Sequence, residues 1–258
     1  MKSRIVIKVG THVIYEDGKI ERERFSKVVD FISELMEKYE VIVVTSGAVA
    51  SGYSKIKLDK SNVKNRQALA AIGQPYLIRE YNDLLEKNGY FGAQLLVIAD
   101  DFDSRKKTKR VRDAVDALIE HKILPIINEN DTTAIEELVF GDNDQLSARI
   151  THFLGADLLV ILSDIDGYYD KDPRENSDAV MNKNIYCIDE KELVLPYNAG
   201  TTFGTGGIVT KLKAANFLLQ HSRAMFLTSG FDLKDLRSFL LEKNHQNGTL
   251  FSPKNWKI

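Results

Sequence analysis

Cysteine is nearly absent from this chain of 258 residues. Cys187 stands alone, which excludes an intramolecular disulfide and any zinc site built on several thiolates; it is expected to act as a packed apolar residue. Net charge is also scarce, at -2 with an isoelectric point near 6.2. Such a balance gives no general attraction to nucleic acid or to an anionic membrane, so the expected charged ligand is small and held by local groups. Long apolar runs are missing too. The stretch from Met1 to Lys8 lacks the core of a signal peptide, and no run approaches membrane-spanning length, so a cytoplasmic location is expected. Gly-x-x-x-x-Gly-Lys-Ser/Thr occurs nowhere, and neither does the His-Arg-Asp of protein kinases, so nucleotide chemistry here needs another lineage. The five histidines show no metal-ligand spacing, and no resident metal site is assigned.

Short apolar runs are present instead, at Ile5 to Val9, Val41 to Val44, Leu95 to Ile98, Ile123 to Ile127, Leu158 to Leu162 and Met225 to Leu227. These predict buried strands. Helical periodicity separates them, with Phe25, Val28, Val29, Ile32, Leu35 and Met36 on one face and Val111, Val115, Leu118 and Ile119 on another. Further helices are expected from Gly141–Asp144 to about Leu154 and after Thr205 to Lys211, and a short terminal strand at Gly248 to Pro253. Alternation of strand and helix predicts an α/β fold with a mainly parallel sheet covered on both faces. Ligands in such folds gather at the carboxyl ends of strands. Lys8 to Thr11, Thr45 to Gly47, Asn128 to Asp131 and Ser163 to Gly167 each follow a predicted strand, so four loops can converge on one sheet edge.

Acids and amides concentrate in Ile126-Ile-Asn-Glu-Asn-Asp131 and Phe140-Gly-Asp-Asn-Asp144, a composition suited to a small amine-bearing substrate and equally to ordinary turns. Gly204-Thr-Gly-Gly-Ile-Val-Thr-Lys211 is a glycine-rich segment feeding a helix, which lets backbone N–H groups approach phosphate while Lys211 adds a full charge. Lys8, beside Gly10, can reach the same edge. Two lysines from distant segments suit phosphoryl transfer, where catalysis is alignment and neutralisation of charge on the moving group. Asp144 can hold both ammonium groups, or cap a helix. Ser163 to Arg174 describes either a nucleotide pocket or a plain turn, and Arg105 to Arg112 describes a solvated helix face without the aromatics of single-strand binders.

Together these segments resemble the glutamate 5-kinase branch of the amino-acid-kinase family, from Lys8 to Gly248-Thr-Leu-Phe251. Asp164 to Pro173 and the glycine segment before Lys211 are similar to motifs of the wider family. Thr45-Ser-Gly-Ala48, Ile127-Asn-Glu-Asn-Asp131 and Gly141-Asp-Asn-Asp144 resemble the glutamate-binding motifs of the branch. The resemblance implies a three-layer α/β/α sandwich, ATP and Mg2+ as cofactors, and phosphorylation of L-glutamate to L-glutamyl 5-phosphate at the start of proline synthesis. It implies that Ser46, Asp131 and Asn143 bind glutamate, and that Lys8, Lys211 and Asp144 are catalytic. Ser163, Asp164, Thr205, Gly206, Gly207, Ile208, Val209, Thr210 and Lys211 would contact ATP together with Lys8. It further implies a homo-oligomer, feedback inhibition by proline at a site overlapping that of glutamate, and glutamyl-5-phosphate reductase as a partner.

Departures from the family pattern stand beside the matches. His12 occupies the usual place of a serine, Ile208-Val209 replaces a methionine-small pair and is expected to stiffen the glycine loop, and Thr108 and Arg110 replace an aromatic and an asparagine. Many bacterial members continue into a PUA domain, whereas a single kinase domain over residues 1–258 is expected here. The competing readings are a kinase of the same fold acting on N-acetylglutamate, aspartate or carbamate, and a catalytically silent sensor. The two acid-amide clusters argue against the first, and the joint presence of Lys8, Asp144 and Lys211 against the second.

Overall fold

A computed structural model describes residues 2–134, 143–194 and 207–257. Its centre is an eight-stranded sheet in the order β5-β6-β4-β1-β7-β9-β10-β8. The strands are β1 (Arg4–Val9), β4 (Glu40–Thr45), β5 (Phe91–Val97), β6 (Ile123–Glu129), β7 (Leu158–Ser163), β8 (Asn184–Ile185), β9 (Ala224–Ser229) and β10 (Thr249–Phe251). All neighbours run parallel except β9 and β10. A small antiparallel hairpin, β2 (Tyr15–Glu16) with β3 (Lys19–Ile20), stands apart from it.

Strand periodicity divides the core in two. Ile5, Ile7 and Val9 point into one apolar cluster with α2 (Arg22–Met36), and Val6 points into the other. The first face also takes Leu77, Tyr81 and Leu85 of α4 (Val63–Leu85), and Leu236 and Leu240 of α8 (Lys234–Leu241). The second face takes Val115 of α5 (Arg105–Glu120), Ile150 of α6 (Asn143–Phe153), and Leu212 and Leu218 of α7 (Gly207–Gln220). The result is the three-layer α/β/α sandwich with a mainly parallel sheet. Short helices α1 (Thr11–Ile14) and α3 (Ala48–Lys55) follow β1 and β4 directly.

Several expectations need correction. The strand expected at Leu95 to Ile98 begins four residues earlier, at Phe91. It is an edge strand whose Phe91 and Leu96 remain exposed, so its apolar run understates its length. Cys187 is exposed rather than packed, because it lies between β8 and a short 3-10 turn instead of under the sheet. Residues 207–210, expected in a loop, form the first turn of α7, so Ile208 and Val209 belong to a helix start and not to a loop. The long helix α4 carries no clean apolar stripe, since its buried face includes Gly73 and Gln74. Small residues are needed there. A Cβ on Gly73 would lie 1.8 Å from the Ala48 carbonyl oxygen, so only glycine lets α4 lie this close to α3.

Candidate active site

The carboxyl ends of β1, β4, β6 and β7 bring together the loops that the strand pattern placed on one edge. Lys8 shares the parity of Val6, so its side chain faces the layer that holds α6 and α7. There it meets a carboxylate. Lys8 Nζ is 2.8 Å from Asp144 Oδ1, and Lys211 Nζ is 3.1 Å from Asp144 Oδ2. All three side chains are buried, and Lys211 also donates to the Gly207 carbonyl oxygen at 3.2 Å. Burial alone would push the Asp144 carboxyl up. The two ammonium groups, by charge and by hydrogen bond, outweigh it and hold the group well below the usual carboxylate range. A single carboxylate thus fixes two cations from strand and helix.

Asn143, one residue earlier, organises a different set. Its Nδ2 lies 2.7 Å from the Thr45 carbonyl oxygen, 2.9 Å from Asn128 Oδ1 and 3.2 Å from Ser46 Oγ. These acceptors belong to the β4 and β6 ends, so one amide ties two strand ends to α6. Asn128 is buried, and its own Nδ2 has no hydrogen-bond partner among the described residues. A buried donor of that kind is costly unless something accepts from it, which marks Asn128 as a ligand-facing candidate that motif reading left unassigned. Its signal was present as the first amide of the Asn-Glu-Asn-Asp segment.

Asp131 lies beyond β6 in a turn braced from several sides. Asn130 N–H donates to the Val97 carbonyl at 2.8 Å, Gln67 Nε2 donates to the Thr132 carbonyl at 3.0 Å, and Gln74 Nε2 donates to the Glu129 carbonyl at 3.3 Å. Burial raises the Asp131 carboxyl from its ordinary 3.8 to about 6. A carboxylate desolvated in this way is primed for a cationic partner, because pairing recovers the cost of its charge.

Gly47, between Ser46 and α3, adopts φ 102°, and a Cβ there would lie 2.8 Å from the Tyr15 ring. Glycine therefore lets the backbone after β4 turn beneath Tyr15. Behind the turn, Thr45 Oγ1 and the Tyr81 hydroxyl share a hydrogen bond of 3.0 Å, and burial pushes the Tyr81 phenol up so that it stays protonated.

On the side expected to take the nucleotide, Ser163 Oγ donates to Asp164 Oδ1 at 2.9 Å, and Gly10 N–H donates to the Leu162 carbonyl at 3.1 Å. Gln145 Nε2 donates to the Thr210 carbonyl at 3.1 Å, joining α6 to α7 around the buried ion pairs. Of the expected ATP contacts, Gly207, Ile208, Val209, Thr210 and Lys211 lie in the first turns of α7, whereas Thr205 and Gly206 fall outside the described residues. The described residues hold no group of three or more His, Cys, Asp or Glu side chains placed to bind a metal. Asp144 is already engaged by both lysines, so the donors at the site suit a magnesium ion carried by phosphate oxygens.

Comparison with known proteins gives a consistent result. A model described as the amino acid kinase family matches residues 3–229. The chain is 51% identical to a glutamate 5-kinase of Leishmania donovani, over 96% of this chain and 94% of that protein. It is 50% identical to a glutamate 5-kinase of Wolinella succinogenes, over 96% and 97%. The fold is similar to a carbamate kinase from Giardia lamblia bound to AMP-PNP, with a TM-score of 0.67, 13% identity, and coverage of 98% of this chain and 99% of that one. It is also similar to an isopentenyl phosphate kinase in its substrate complex, with a TM-score of 0.65, 17% identity, and coverage of 96% and 99%.

Proposed function

The chain belongs to the amino acid kinase family, and from that premise we infer that it transfers the γ-phosphoryl group of ATP to the side-chain carboxylate of L-glutamate, yielding L-glutamyl 5-phosphate for proline biosynthesis. One observation carries the residue assignment: Asn143 and Asp144 are consecutive, the first tied to the β4 and β6 ends and the second to both lysines. A substrate held by the first cluster therefore lies beside charges suited to a phosphoryl group.

In this reading Asp131 pairs with the substrate ammonium, Ser46 and Asn128 donate to its carboxylate oxygens, and Asn143, whose Nδ2 is already shared among Thr45, Ser46 and Asn128, shapes the pocket beside them. The side-chain carboxylate is ionised at neutral pH and attacks without a general base. A new P–O bond forms to its oxygen as the bond between the γ-phosphorus and the β–γ bridging oxygen breaks, and the electron pair leaves with ADP. Lys8 and Lys211 neutralise charge on the phosphoryl oxygens, and Asp144 keeps them in register. Ser163, Asp164 and the segment from Thr205 to Lys211 contact the nucleotide, with which magnesium enters as part of the substrate. Proline competing at the glutamate pocket, a homo-oligomer, and glutamyl-5-phosphate reductase as a partner complete the proposal. Among the described residues, no helix is long and apolar enough to cross a membrane.

ADP release measured with L-glutamate, N-acetyl-L-glutamate, L-aspartate and carbamate as separate acceptors tests this function. Glutamate is expected to support turnover and the acetylated acid is not, since acetylation removes the charge that Asp131 pairs with. A better rate with N-acetylglutamate than with glutamate overturns the substrate assignment.

A further inference from the structure

His12 stands on the nucleotide side of the site, yet the chemistry above does not use it. Its imidazole is 76% exposed, and its Nδ1 lies 3.5 Å from Asp164 Oδ2, itself half exposed. The approach is not a chance meeting of two long side chains. The Gly10 N–H bond to the Leu162 carbonyl ties together the two loop starts that carry them.

Asp164 faces an edge on which a polyphosphate is expected, and there a bare carboxylate is a liability. Burial raises its carboxyl, but the Ser163 hydroxyl, a backbone N–H, His12 and Lys211 together hold it below the ordinary value, so it is charged at neutral pH. Lys8 and Lys211 both pair with Asp144. From α2, Arg24 donates to the His12 carbonyl at 3.1 Å and to the Val13 carbonyl at 2.8 Å, and its own charge is met by Glu16 at 3.4 Å. Among the described residues, the carboxylate that the ring meets is Asp164.

We propose that His12 is a titrating nucleotide-binding residue: as imidazolium it neutralises Asp164 and presents a positive charge to the polyphosphate, and as neutral imidazole it leaves Asp164 to repel it. The proposal rests on the kinase reading above. Nucleotide binding then takes up a proton, and affinity falls as pH rises. The position is exposed, so substitutions there leave the core untouched.

Calorimetric titration with a non-hydrolysable ATP analogue, between about pH 5.5 and pH 8 and in buffers of different ionisation heat, tests it. Phosphate groups of the analogue titrate as well, so the readout is the difference between wild type and variants. Wild type should lose about fivefold more affinity over this range than His12→Gln, the upper end for an exposed charge pair. It should also take up more protons than the variant. His12→Lys, with a permanent charge, should bind more tightly than wild type at high pH, match it at low pH, and show no excess proton uptake. Identical pH profiles and proton counts for wild type and His12→Gln would overturn the proposal while leaving the kinase reading intact. A wild type that binds no nucleotide at any pH would overturn both.

Discussion

Asn143 and Asn128, fifteen positions apart and on different elements, meet through a 2.9 Å hydrogen bond from Nδ2 to Oδ1. Because the same Nδ2 also serves the Thr45 carbonyl and Ser46, Asn143→Ala removes the shared donor of two strand ends at once. The expected result is a glutamate KM raised by roughly tenfold or more, the cost of leaving buried acceptors unpaired, with a smaller change in kcat. Steady-state kinetics decide it. A large fall in kcat at constant KM would move Asn143 from substrate binding to the transition state.

Lys211→Ala and Asp144→Asn should act on the other kinetic parameter. Their proposed interactions strengthen as charge develops, so kcat is expected to fall by about 10²-fold or more while glutamate KM stays near wild type. Asp144→Asn should also lower the melting temperature, since it leaves two buried ammonium groups without their carboxylate, a loss of about 3 kcal/mol. Near-normal turnover by Lys211→Ala would remove the two-lysine mechanism.

Asp131 links stability to pH with a definite sign. Its folded value of about 6 lies above its ordinary 3.8, so the folded state binds more protons between these values and loses stability as pH rises through that window. Asp131→Asn should therefore be more stable than wild type at neutral pH, by about 1 kcal/mol after allowance for partial exposure, and bind glutamate more weakly. In wild type, glutamate KM should climb as pH falls below about 6, where protonation removes the partner of the substrate ammonium. Denaturant melts and a KM–pH profile check both parts. A KM for glutamate that is flat across this window would sever Asp131 from ammonium binding.

Gly73→Ala tests the helix contact behind the substrate loop. The added methyl would meet the Ala48 carbonyl oxygen at 1.8 Å and the Gly52 nitrogen at 2.6 Å, and backbone atoms cannot yield as a side-chain tip can. Destabilisation of about 3 kcal/mol is expected. Displacement of α3 should raise glutamate KM more than that of ATP. An unchanged thermal melt would show that the two helices separate without cost.

Proline should raise the apparent glutamate KM more than it lowers maximal turnover, through the pocket near Asp131 and Asn143. Thr108 and Arg110 lie within α5, capped by Ser104, rather than on a free loop, and the inhibition is expected to be shallow rather than steeply cooperative. Initial rates over a proline titration at several glutamate concentrations check this. Inhibition that excess glutamate cannot relieve would place proline elsewhere.

Much of this architecture was legible in the chain itself. The apolar runs at Ile5 to Val9 and Leu158 to Leu162 became central strands because continuous burial on both faces leaves a signal that no neighbour can mask. Hydroxyl, amide and acidic residues after strands likewise marked the edge where ligands gather, whereas the layer that Lys8 faces came from the structure, because a run buried on both faces carries no alternation. Edge strand β5 and helix α4 were harder to see. The first is only half covered, and the second buries glycine and glutamine, so neither carries a clean periodicity. Tertiary structure alone decided which distant groups meet: that Lys8 and Lys211 share the two oxygens of Asp144, that Asn143 reaches Asn128, and that His12 comes to Asp164. Periodicity reports the face a residue takes within its own element, whereas contact across elements depends on register and helix position set by packing of the whole core.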